Sequence, residues 1–170
     1  ATHLGRPKSF DPAKPDWYNP QDSLDVIVEP LSAAIGREVR IIRIDPATGN
    51  YFPDQLNPNY IRELAHDGIV PMLDNIRFHR DEQKNGEGLA RDLAKVVNVS
   101  FQNGFGAAHR IEATSNHIHQ FVPGFAGDLF VEEIEGHRAI KKPSSNYVVV
   151  VGGDKVQESL DIMRGLLRAE

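Results

Sequence analysis

The chain has 170 residues, of which 40% are hydrophobic and 25% are charged, as expected for one globular domain or slightly more. Its formal net charge of −5 argues against a broad nucleic-acid-binding surface and against binding to an anionic membrane surface. The absence of cysteine excludes disulfides, thiolate metal sites and a cysteine nucleophile, and no apolar run is long enough to span a bilayer.

The first twenty residues predict an extended loop, because they contain four prolines and proline both fixes φ and removes a backbone donor. We interpret Ala1 and Thr2 as the last residues of a strand. The helical spacing of apolar residues then predicts a helix over 21–36, which Asp22 or Ser23 would cap and Gly36 would end.

The rest of the chain alternates between short β-branched runs and segments with helical periodicity. The predicted elements are strands over 39–44, 69–73, 96–101 and 147–151, helices over 58–66, 87–95 and 125–140, and a last helix that follows the turn at Gly152 and Gly153. Asn57 or Asn59 would cap the second helix, and Pro71 indicates that its strand lies at an edge or carries a bulge.

This alternation predicts an α/β fold with a parallel, doubly wound, Rossmann-like sheet between two helical layers. The residues expected to face the core from the last three helices are Leu89, Leu93, Leu129, Phe130, Ile134, Val156, Leu160, Met163 and Leu167. Residues 45–50 have the composition of a turn, and residues 141–146 that of a linker.

Three loops each place an arginine, with a histidine within three residues of it, directly after a short apolar run. Their arginines are Arg6, Arg77 and Arg110. Ligands bind beyond the carboxyl ends of strands in open α/β sheets, and a guanidinium binds carboxylate and phosphate through a planar fork. His3 and His109 would donate to the same anion.

The residues by themselves favour a different interpretation of these arginines, since charge clusters are usually structural. The guanidiniums would then pair with local carboxylates such as Asp74 and Glu112. No metal site or acyl-transfer site is expected. The histidines lack ligand spacing, and no G-x-S-x-G turn is present.

Segments 3–7, 73–79 and 105–110 resemble, in order and spacing, the signature loops of the phosphoglycerate kinase family. Segment 151–156 is similar to the glycine–lysine turn that opens the second domain of that family. The resemblance implies a substrate domain over 1–140, a linker over 141–146, and the first strand–helix unit of a nucleotide domain over 147–170. It also implies that 3-phosphoglycerate binds to His3, Arg6, Arg77 and Arg110, and that nucleotide phosphate binds at Gly152, Gly153 and Lys155.

The chain departs from the family pattern in the loops that would face ligands. Asp154 places a carboxylate where nucleotide phosphate would approach, and Ser159 stands where the family has a second lysine. Residues 102–104 replace Asn-Asp-Ala, and Glu112 replaces a second histidine, which adds negative charge near the proposed anion site.

These departures favour a catalytically degenerate phosphoglycerate kinase-like protein, a pseudoenzyme that serves as a structural subunit of a larger assembly. Its incomplete sheet would be completed by other protein subunits or by further parts of the same polypeptide. The alternative is a portion of an active kinase that transfers a phosphoryl group between 1,3-bisphosphoglycerate and ADP, with ATP or ADP and Mg²⁺ as cofactors. A third hypothesis is a binding module that retains the phosphoglycerate pocket. The sequence does not separate the cytoplasm from an organelle matrix.

Overall fold

The computed structural model of the chain describes residues 2–5, 7, 10, 11, 13, 14, 17–141, 148, 150 and 156–167. The chain divides into two compact units, residues 1–125 and residues 126–170. The helices are α1 (Asp25–Ile35), α2 (Pro58–His66), α3 (Glu87–Ala94), α4 (Asp128–Lys141) and α5 (Val156–Leu167). The strands are β1 (Val39–Ile42), β2 (Ile44–Asp45), β3 (Asn50–Tyr51), β4 (Val70–Leu73), β5 (Ser100–Gln102) and β6 (Gly124–Ala126).

Strands β1 and β4 form a parallel pair in the first unit, with α1 packed against β1 and α2 packed against β4. The register places Val39 opposite Val70 and Arg40 opposite Pro71. Pro71 is tolerated because β4 has one hydrogen-bonded neighbour in the described part of the chain, so the strand is an edge there, as predicted. Parallel strands require a crossover connection, and α2 lies within it.

Helix α1 begins later than predicted because the chain first makes a 3₁₀ turn over Pro20–Asp22. The backbone N–H of Leu24, at the N-cap position, donates to the Asp74 carboxylate at 3.0 Å, and the N–H of Asp25 donates to the Ser23 hydroxyl at 3.3 Å. The helix ends at Gly36, which adopts a left-handed conformation with φ of +67°, so the predicted stop is confirmed.

The predicted strand over 39–44 is divided in the structure. Its first part is β1, whereas Ile44 belongs to a hairpin in which β2 and β3 pair in antiparallel fashion. The turn between them is closed by Asp45, whose backbone carbonyl accepts from Thr48 and Gly49 and whose carboxylate accepts from the N–H of Ala47. The turn composition at 45–50 is therefore confirmed as a hairpin turn.

The core of the first unit lies between the β1–β4 pair, α2 and α3. Its largest fully buried apolar side chains are Phe78, Leu24, Ile42 and Leu89. Trp17 is also buried, and its ring meets those of Phe10 and Phe78 edge-on at 5.2 and 6.2 Å between centroids. The proline-rich beginning of the chain is thus fixed by aromatic packing as far as it is described.

Helix α2 has the predicted bounds, and the Asn57 side chain caps it by accepting from the N–H groups of Asn59 and Tyr60. Helix α3 buries Leu89 and Leu93, as predicted. The strand expected over 96–101 is shorter, because the N–H groups of Val96 and Val97 still donate to the Leu93 carbonyl. Strand β5 therefore begins only at Ser100.

The helix predicted over 125–140 was wrong at its start, because Gly124–Ala126 forms β6, which pairs with β5. Helix α4 begins at Asp128. The inward position expected for Leu129 was also wrong, since this side chain is 52% exposed. The predicted strand over 147–151 lies outside the described residues except for Val148 and Val150, which are exposed and belong to no strand.

Helix α5 is present as predicted, but Leu160 and Met163 of its expected apolar face are 37% and 39% exposed. Within the described ranges, none of the helices has the length and hydropathy needed to cross a membrane. The predicted domain limits at 140 and 146 stay a prediction.

Candidate anion-binding site

The candidate site is organised by Asn75, the second residue after β4. Its side chain is fully buried, and its Nδ2 atom donates to the carbonyl oxygens of Leu4 and Asp22, both at 2.8 Å. Its Oδ1 atom accepts from the N–H of Arg77 at 3.2 Å. One amide therefore joins the segment before Gly5, the segment before α1 and the turn that carries Arg77.

Arg77 lies in the middle of the 3₁₀ turn Ile76–Phe78 and is only 9% exposed. Its Nη2 atom is 3.8 Å from Oε1 of Glu112. Its Nε atom is buried and has no hydrogen-bond partner. A buried charged donor without a partner is costly, so the fork of this guanidinium is incompletely used.

Arg110 approaches the same carboxylate oxygen from a different loop. Its Nη1 atom is 3.7 Å from Oε1 of Glu112, and its side chain is 37% exposed. Both distances exceed those of an N–H···O hydrogen bond, so the attraction between Glu112 and the two guanidiniums is electrostatic. The three side chains together carry one net positive charge.

The loop that carries Glu112 is anchored by a second carboxylate, that of Glu82, which is 1% exposed. The Glu82 side chain accepts from the N–H and the hydroxyl of Thr114, and its backbone carbonyl accepts from the N–H of Ala113 at 2.9 Å. Burial raises the pKa of Glu82 to about 7, although the Thr114 hydrogen bonds act in the opposite direction and Glu112 adds a smaller repulsion.

A cavity of about 590 Å³ lies beside these loops. His3, Glu82, Glu112 and Thr114 contribute polar groups to its lining, and Leu73 and Ile76 contribute apolar surface. The N–H of Ile76 donates to the carbonyl of Thr2 at 3.1 Å, which holds the residue before His3 beside the end of β4. The structure thus brings His3 and Glu112 to one cavity.

His79, the histidine of the second signature loop, is a buried residue whose contacts are structural. Its Nδ1 atom accepts from the N–H of Asp81 at 3.1 Å, and its ring stacks on Tyr51 at 5.5 Å between centroids. Burial lowers the pKa of His79 to about 4, because the imidazolium loses its hydration. The ring is therefore neutral near pH 7.

The family model of phosphoglycerate kinase matches residues 1–170, which is the whole chain. The chain belongs to the phosphoglycerate kinase family. It is 32% identical over 169 residues to a phosphoglycerate kinase from Moorella thermoacetica and 30% identical over 171 residues to one from Dictyoglomus turgidum. Each alignment covers 98% of this chain but only 39% and 38% of the relative, so the chain spans well under half the length of these kinases.

Solved phosphoglycerate kinases have the same fold over the aligned residues. The structure from Coxiella burnetii matches with a TM-score of 0.67 and 23% identity, over 97% of this chain and 38% of that one. The structure from Pyrococcus horikoshii matches with a TM-score of 0.64 and 25% identity, over 86% and 36%. These matches confirm the predicted fold class, which is α/β and Rossmann-like with an incomplete sheet.

The residues implied by the phosphoglycerate kinase resemblance are only partly described. Arg77 and Arg110 converge on Glu112, His3 lines the neighbouring cavity, and His109 is exposed. Arg6 lies outside the described residues. The same holds for the proposed nucleotide residues, which are Gly152, Gly153 and Lys155.

The two carboxylates that the sequence offered as alternative partners have different roles. Glu112 does contact Arg77 and Arg110, as that interpretation required. Asp74 instead accepts from the Ser23 hydroxyl and from the N–H groups of Leu24 and Asn75, with its other oxygen 3.9 Å from Arg43. Asp74 therefore positions α1 on the phosphoglycerate kinase fold and is not a ligand of Arg77.

Glu82 and Asn75 were not singled out by sequence reasoning, although both are almost completely buried. Glu82 lies in the polar stretch 80–85, which has the composition of an exposed loop. Asn75 is part of the signature segment 73–79, and its position directly after a strand was the available signal. In the described part of the chain, no three histidine, aspartate or glutamate side chains are grouped as a metal site would require.

Proposed function

We propose that this chain is a catalytically degenerate phosphoglycerate kinase-like protein that serves as a structural subunit of a larger assembly. The observation that carries the proposal is the position of Glu112. One carboxylate oxygen lies 3.8 Å from Arg77 and 3.7 Å from Arg110, so two of the guanidiniums expected to bind phosphoglycerate already face an internal anion.

The charge balance around Arg77 supports a loss of catalysis. Phosphoryl transfer depends on positioning and on neutralising the charge of the substrate. Glu112 cancels one of the two positive charges, and the buried Glu82 lines the same cavity as Glu112. A phosphorylated hydroxy acid would therefore approach two carboxylates together with the guanidiniums.

Partly exposed apolar surface in the first unit supports the structural role. A groove of about 390 Å³ follows β1 and β4, and it is lined by the half-buried Leu73 and Val97 and by the buried Ile42 and Leu93. Phe101, which does not line this groove, is 65% exposed. We propose that an apolar segment of a protein subunit covers this groove, because burial of such surface is the main source of stability at obligate interfaces.

Two measurements on the full-length protein test the absence of catalysis. No ATP should form from 1,3-bisphosphoglycerate and ADP in the presence of Mg²⁺, and calorimetric titration with 3-phosphoglycerate should give no binding heat. Measurable ATP formation would remove the proposal.

The structural role is tested with Val97→Asp, which introduces a charge into the groove. We expect this variant to leave the assembly, as measured by the mass of the native complex in light scattering after gel filtration. Val26→Asp controls for the added charge alone, since Val26 lies on α1 and is 65% exposed. Equal masses for the two variants would contradict the role of the groove.

The alternative function is that of a portion of an active phosphoglycerate kinase, and one observation favours it. The buried Nε atom of Arg77 has no partner, and a carboxylate or phosphate oxygen would satisfy it. Under this alternative, wild type binds 3-phosphoglycerate and Arg77→Ala abolishes the binding. ATP, ADP and Mg²⁺ belong to this alternative alone.

A further inference from the structure

We propose that Glu112 is an internal competitor for the Arg77–Arg110 pair, which excludes phosphate-bearing ligands in the wild-type chain and opens to them when the Glu112 charge is removed. This inference rests on the proposed function, because it supplies the reason why a retained arginine pair would not bind its ancestral class of ligand.

The geometry around Glu112 is that of a ligand bound loosely at an anion site. Both guanidiniums approach the same atom, Oε1, from two different loops. Neither distance, 3.8 or 3.7 Å, is short enough for a hydrogen bond. The carboxylate therefore supplies a negative charge but accepts no hydrogen bond from either guanidinium.

The donors of Arg77 provide an independent observation that points to a ligand. The residue is 9% exposed and its side chain 11% exposed, and the buried Nε atom has no hydrogen-bond partner. A phosphate group presents several acceptor oxygens, so it would use donors that Glu112 leaves unpaired.

The Glu112 side chain can be changed without removing the supports of its loop. These supports are made by neighbouring groups: the N–H of Asn116 donates to the backbone carbonyl of Glu112 at 2.9 Å, and Ala113 and Thr114 donate to Glu82. The N–H of Arg110 donates to Ala107 at 3.0 Å. The neutral variant Glu112→Gln should therefore retain both arginines in place.

The second carboxylate in the cavity sets the conditions of the experiment. Glu82 lines the cavity together with Glu112, and the two charges repel each other. At pH 8 Glu82 is mainly ionised, so the variants are compared in one protonation state of this group. Inorganic phosphate is largely a dianion at that pH, and it serves as the probe.

The test is calorimetric titration of the full chain with inorganic phosphate at pH 8 and low ionic strength. We expect Glu112→Gln to bind phosphate at least tenfold more tightly than wild type, and Glu112→Gln with Arg110→Gln to lose that gain. Glu87→Gln is the matched control, because Glu87 pairs with Arg91 on the exposed face of α3 and its loss changes the net charge equally.

Equal phosphate affinity of Glu112→Gln and Glu87→Gln overturns the inference. Folding of each variant is checked by the fluorescence of the buried Trp17. Should Glu112→Gln fail this check, Glu112→Asp keeps the charge but withdraws it by one methylene; a smaller gain is then expected, and no gain overturns the inference.

The outcome is separable from that of the proposed function. Wild-type ATP formation removes the proposed function whatever the phosphate titrations give. An inactive wild type in which Glu112→Gln gains no affinity removes the competitor role alone.

Discussion

The side-chain amide of Asn75 donates to the carbonyl oxygen of Leu4 at 2.8 Å, across 71 residues of sequence. The same nitrogen donates to Asp22, and the amide oxygen accepts from the N–H of Arg77. The backbone of the first signature loop is therefore held against that of the second by a single buried side chain, which positions the backbone of Arg77.

Replacement of this amide should be costly for stability. Asn75→Ala removes three hydrogen bonds and leaves the buried N–H of Arg77 without its acceptor and the carbonyls of Leu4 and Asp22 without their donor, so we expect a loss on the order of 3 kcal/mol in the free energy of unfolding. Chemical denaturation followed by Trp17 fluorescence measures it. Asn59→Ala, at an exposed position on α2, is the control and should change stability by less than about 0.5 kcal/mol. Similar midpoints for the two variants would contradict the role of Asn75.

The buried carboxyl of Glu82 should make stability depend on pH. Its pKa is about 7 in the folded chain and about 4.5 in the unfolded chain, so the folded state binds more protons between these values. The contribution of Glu82 to the stability of the folded state is therefore fully present below pH 4.5 and is lost as the pH rises through 7. The unfolding free energy of Glu82→Gln, taken relative to that of wild type, should therefore rise by on the order of 3 kcal/mol between pH 4.5 and pH 7. Urea denaturation at both pH values measures this change. If the difference in unfolding free energy between wild type and Glu82→Gln did not change with pH, Glu82 would have an ordinary pKa in the folded chain.

His79 should produce the opposite dependence over nearly the same range. Its pKa falls from 6.5 to about 4 on folding, so the unfolded state binds more protons between these values, and stability is lost as the pH falls through 6.5 toward 4. The unfolding free energy of His79→Gln, taken relative to that of wild type, should therefore rise by on the order of 3 kcal/mol as the pH falls from 6.5 to 4. Because the two groups oppose each other, wild type should vary less with pH than either variant. This cancellation would be excluded if the unfolding free energy of wild type changed steeply with pH while its difference from each variant stayed constant.

The parts of the fold that the sequence predicted well are those in which local chemistry decides the structure. Asn57 caps α2 with its own side chain, and Gly36 ends α1 in a left-handed conformation. Both outcomes depend on residues within one helical turn, so they are visible in the sequence.

The errors arise where distant residues decide. Strand β6 begins at Gly124 because that segment pairs with β5, and no local pattern announces this partner. Leu129 has the spacing of a core residue but is exposed. Helical periodicity selects a face of a helix, whereas the surface that covers that face is set by the rest of the fold.

The candidate site shows the same division. Motif spacing placed Arg77 and Arg110 in loops at one sheet edge, and the structure brings both to Glu112. The sequence could not decide between a ligand and a carboxylate as their partner, since charge types alone are compatible with both. The anchoring of the loop by Glu82 depends on a hydrogen bond across 32 residues and was not predictable from its polar surroundings.

Two glycines with almost the same positive φ offer a direct test of packing at the beginning of the chain. Gly36 and Gly49 have φ of +67° and +68°, so an alanine is strained at both positions by about 1 kcal/mol. A Cβ atom at Gly36 would meet open space, whereas one at Gly49 would collide with the ring of Phe10. Gly36→Ala should therefore cost only the backbone strain. Gly49→Ala should cost about 1 to 3 kcal/mol more, because the Phe10 ring must leave its place against Trp17. Thermal and urea denaturation of both variants measure the difference, and equal costs would mean that Phe10 does not pack on the hairpin turn.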